Sequence, residues 1–122
     1  AAIGNYQGSA YVVRRSWAKN HDKEVMALTR AIIAAHDYVF ANKSGAIEVL
    51  KKRTKGLTDQ ELSELYDRLT GPGGLHKGAT MNMKGVEMVL SLRSIYGGAK
   101  SPSNPPSKYV DMSYYERAMA NK

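Results

Sequence analysis

Apolar residues recur at helical spacing through residues 20–40, NHDKEVMALTRAIIAAHDYVF. Val25, Leu28, Ile32, Ala35 and Val39 form one row, and Met26, Thr29, Ile33, His36 and Phe40 widen it. A stripe of about 100° or more predicts a long amphipathic helix with one covered face. Asn20 is placed to cap its start. Asp22 and Glu24 fall in the first turn, where carboxylates complement the positive end of the helix. Lys23, Arg30, Ala34 and Asp37 make the opposite face.

The pattern before this helix is different. Residues 9–14, SAYVVR, place β-formers Tyr11, Val12 and Val13 in succession after Gly8. That predicts a short strand buried on both faces. Residues 16–19 read as one helical turn, with Trp17 anchoring it. After residue 41, Ser44 is placed to cap a helix over 45–54 that buries Ala46, Ile47 and Leu50. Its basic end, KKRTKG, combines cations in a last turn with a glycine suited to a left-handed cap. Thr58 and Glu61 have the spacing of a capping box for a helix over 59–69, with Leu62, Leu65, Tyr66 and Leu69 on its apolar face. Residues 70–80 read as a Gly/Pro loop. Asn82 caps a helix over 83–96, stopped by Gly97 and Gly98. Residues 99–108 form a proline-rich connector. Asp111 or Ser113 caps a short closing helix carrying Tyr114, Tyr115, Ala118 and Met119. The expected organisation is one partial domain over residues 1–122, with residues 99–122 as connector and C-terminal helix.

Composition narrows the function classes. No apolar run approaches the roughly 20 residues that a bilayer requires. The first residues do not read as a signal peptide. There is no cysteine, hence no disulfide and no thiolate metal site. The net charge of +7 is concentrated in residues 1–56, which hold ten Lys/Arg against four Asp/Glu. A basic surface can meet nucleic acid, but no helix-turn-helix pattern or stacking platform accompanies it. Lys51, Lys52, Arg53 and Lys55 are accounted for by the helix end, so no nucleic-acid partner is expected.

Candidate chemistry is sparse. His21, His36 and His76 lack the paired spacing of a metal site, and His36 reads as a packed, hydrogen-bonded histidine. The run Gly71-Pro72-Gly73-Gly74 follows no strand and lacks the Lys-Ser/Thr of a phosphate loop. Asp59, Glu61, Glu64 and Asp67 read as the solvated face of one helix. No nucleophile is paired with a base. The expectation is a non-enzyme with no catalytic residues, no metal and no cofactor. Tyr6 and Gln7 precede the strand and so sit where ligands are often met.

The order of parts carries a resemblance. YQGSAYVVRRSWAKNH runs into the long helix, and a Leu-Thr-x-x-x-Leu helix follows at Gly56 to Leu69. A Gly-Gly-Leu loop precedes MNMKGVEMVLSLRSIYG, and KYVDMSYYERAMA closes the chain. From Gly4 to Ala120 the chain resembles the C-terminal part of the periplasmic solute-binding proteins of ABC importers, of the nitrate/sulfonate/taurine and pyrimidine-precursor type. The RRSWAKNH junction and KYVDMSYYERA are its most specific parts.

The resemblance implies a mainly α chain with one or two short strands, a fragment of an α/β two-lobe periplasmic-binding-protein fold. It implies a substrate-binding component, periplasmic or membrane-associated on the outer side, that takes a small anionic or heterocyclic solute and docks on a membrane permease. Asn5, Tyr6, Gln7 and Gly8 are the positions that would face the solute. The alternative is a stand-alone helical interaction module with no transport role. The strand at residues 9–14 has no second strand of comparable quality in the chain, which predicts a homodimer that covers the open edge.

Overall fold

The computed structural model describes residues 4–97, 104–120 and 122. Among these described residues six α-helices follow one another: α1 (Arg15–Asn20), α2 (Asp22–Ala41), α3 (Lys43–Arg53), α4 (Asp59–Thr70), α5 (Met83–Tyr96) and α6 (Ser113–Ala120). Short 3₁₀ turns cover Lys77–Ala79 and Pro106–Lys108. Gly98 and residues 99–103 of the expected connector lie outside the described residues.

Among the described residues there is no strand, which corrects the expected fold class. Residues 9–14 do run without a turn or bend, but no neighbouring strand pairs with them. Tyr11, Val12 and Val13 are 74%, 87% and 46% exposed rather than buried on both faces. β-propensity favours an extended backbone, but a strand also needs a partner to complete its hydrogen bonds. The fold described is all-helical, and the α/β two-lobe expectation does not hold for it.

The local helix signals fared better, with two changes. Thr58 and Glu61 form the capping box: Glu61 N–H donates to Thr58 Oγ1 at 3.3 Å, and Thr58 N–H donates to Glu61 Oε2 at 2.7 Å. Asn82 Oδ1 accepts from Gly85 N–H at 3.0 Å, capping α5. Helix α3 begins two residues earlier than expected because Asn42, not Ser44, is its cap. Asn42 Oδ1 accepts from Gly45 N–H at 2.8 Å, and the Ser44 hydroxyl donates to the same oxygen. Asn20 ends α1 instead of capping α2.

The chain divides into two compact units, residues 1–29 with 81–122 and residues 30–80. In the second unit α3 packs against α4. Ile33, Ala46, Leu62 and Tyr66 are its buried residues, and Leu62 has no exposed surface at all. The Tyr66 hydroxyl donates to the Val39 carbonyl at 2.9 Å, so the one polar atom of a buried ring is satisfied. Lys43 reaches Asp67 at 2.6 Å and lies over the Tyr66 ring. His36 donates from Nδ1 to the His76 carbonyl at 2.9 Å, and Lys77 lies over Phe40, which ties down the loop after α4. The apolar stripe of α2 is rotated from the expected row. Met26 and Ile33 are buried with Val25, whereas Leu28 and Ala35 are exposed.

In the first unit Ala18, Val25, Met26, Val86, Leu90 and Ala118 are buried. They come from α1, the start of α2, α5 and α6. Helix α5 also packs on the second 3₁₀ turn.

Candidate functional site

The site expected at Asn5, Tyr6, Gln7 and Gly8 is positioned by α5. Helix α5 starts at an asparagine cap, which leaves the Asn82 N–H outside the helix ladder. Gln7 Oε1 accepts from that N–H at 3.0 Å, and Gln7 Nε2 donates to the Ser9 carbonyl at 2.7 Å. Both polar atoms of the Gln7 side chain are thus used within the protein. Gly85 allows the approach: a methyl group there would lie 2.7 Å from the Gln7 nitrogen and 2.9 Å from the Tyr6 carbonyl carbon. A real side chain cannot sit that close to backbone, so residue 85 must be glycine for Tyr6 and Gln7 to lie on the first turn of α5. Tyr6 remains 51% exposed and borders Gly8, and Asn5 is exposed at a bend. Gln7 and Gly85 therefore hold the segment, while Tyr6 and Asn5 present it to solvent.

A second cluster joins the two ends of the sequence. The Tyr114 hydroxyl donates to the Ala18 carbonyl at 3.4 Å. Arg117 makes a forked pair with Asp22, at 2.7 and 3.2 Å, and its guanidinium lies over the Tyr114 ring. Arg15 donates to the Lys108 carbonyl at 2.8 Å. Trp17 stacks flat on His21, with centroids 4.1 Å apart, and His21 Nδ1 donates to the Trp17 carbonyl at 2.9 Å. The Arg117 hydrogen bond holds the Asp22 carboxyl below its ordinary range, and the same bond raises Arg117. Hydrogen bonds from the Ser113 hydroxyl and backbone likewise lower Asp111. Sequence reading placed Tyr114 and Tyr115 on the short closing helix, which is α6. It missed the Asp22–Arg117 pair, for which neither residue's neighbours give a signal.

A shallow cleft of about 270 Å³ lies along α5, between Glu87, Leu90, Ser91 and Ile95 on one side and Asn104, Pro105 and Pro106 on the other. No group of three or more His, Asp or Glu side chains is placed to hold a metal among the described residues. No helix there is long and apolar enough to cross a membrane. Compared with protein-family models, curated proteins and solved structures, the chain matches none.

Proposed function

We propose that this chain is the helical closing part of a substrate-binding component of an ABC importer. Its ligand class is a small anion or heterocycle such as nitrate, a sulfonate or a pyrimidine precursor. It binds without catalysis, and it works by closing around the solute and then docking on a membrane permease at the outer face of the membrane. One observation carries the reading. The two motifs most specific to the resemblance, RRSWAKNH and KYVDMSYYERA, lie about ninety residues apart in sequence and meet through Tyr114–Ala18 and Arg15–Lys108, with Arg117 pairing to Asp22 just past the first motif. Their joint presence then has a physical reason: each supplies the other's hydrogen-bond partners. In this reading Gln7 is a positioning residue, and Tyr6 and Asn5 are the groups left to touch solute.

Isothermal titration of the full translation product of the gene with nitrate, taurine and a pyrimidine tests this. Micromolar binding of one of them is the expected result, and Tyr6→Ala is expected to weaken it about tenfold, the loss of roughly 1.4 kcal/mol of contact. Absence of binding to all three overturns the reading. It would favour the second one, a helical interaction module without a transport role, for which the exposed run Tyr11-Val12-Val13 speaks.

A further inference from the structure

We draw no further inference here: the strongest candidate, the shallow cleft between α5 and residues 104–106, has no buried polar side chain in its lining, and nothing in the structure shows what covers it.

Discussion

The two units are built from the same kind of element and held in different ways. The unit of residues 30–80 is local. Its helices α3 and α4 are consecutive, its caps are residues next to their own helices, and its centre is Leu62 with no exposed surface. The other unit joins residues 1–29 to residues 81–122. Its fixed points are exposed or half-buried polar contacts between residues 75 to 96 apart in sequence: Gln7 to Asn82, Arg15 to Lys108, Tyr114 to Ala18 and Arg117 to Asp22. The contrast lies in how far apart in sequence the contacting residues are. Both units bury a small apolar core, and long-range hydrogen bonds also position the unit that carries the candidate site. The Arg117–Asp22 pair among them is solvent-exposed and contributes little energy, so its role is to choose an arrangement more than to strengthen it.

The largest expected effect breaks the local unit. Leu62→Ala leaves a cavity in a site with no exposed surface and is expected to cost about 2–5 kcal/mol, read by urea denaturation. If residues 30–80 lose amide protection while the Tyr114 and Arg117 contacts persist, the units unfold separately. A single cooperative loss would join them into one. A cost below about 0.5 kcal/mol would mean that Leu62 is not central, since exposed sites give changes of that size.

Gly85→Ala attacks the other unit at the seat of the candidate site. The added methyl meets backbone at 2.7 and 2.9 Å, so the segment holding Tyr6 and Gln7 must move. The expected cost is about 1–3 kcal/mol, as for overpacking elsewhere. Faster exchange of the Asn82 amide, which Gln7 covers, is the specific reading, and an unchanged Asn82 amide would show that the segment does not rest there.

Acid gives the smallest effect and the finest comparison. Asp22 and Asp111 in one unit, and Glu61 in the other, have carboxyl groups held below their ordinary values by hydrogen bonds from Arg117, Ser113 and Thr58. A depressed folded value means that the stabilisation is complete above the ordinary carboxyl pKa. It is lost as pH falls below about 4, toward the folded values. Two such groups in the unit with the tail contacts, against one in the local unit, predict that the Arg117–Asp22 end loosens first. Lys51 is raised by its bond to Asp59, so that contribution is present below the ordinary lysine value and is lost in strong alkali. Resolved amide exchange between pH 3 and 6 checks the order, and earlier loosening at the Thr58–Glu61 cap would reverse it.

What could be read from sequence alone is the part governed by neighbours. The Thr58–Glu61 box, the Asn82 cap and the helices over 22–41 and 83–96 need only a few adjacent side chains to satisfy the first free N–H groups, and those are written in order along the chain. Even there the choice between Asn42 and Ser44 escaped, because both residues have cap chemistry and only the path of the backbone selects one. The rotation of the α2 stripe, which buries Met26 and Ile33 and leaves Leu28 in water, was decided by which neighbours arrive and not by α2 itself. The same holds for residues 9–14. Their side chains favour an extended backbone, but pairing is a property of two segments, and tertiary structure supplied an anchor at each end without supplying a partner. The Asp22–Arg117 pair and the glycine seat under Tyr6 join residues 95 and about 80 positions apart. No periodicity encodes such distances, so only the folded chain could bring them together.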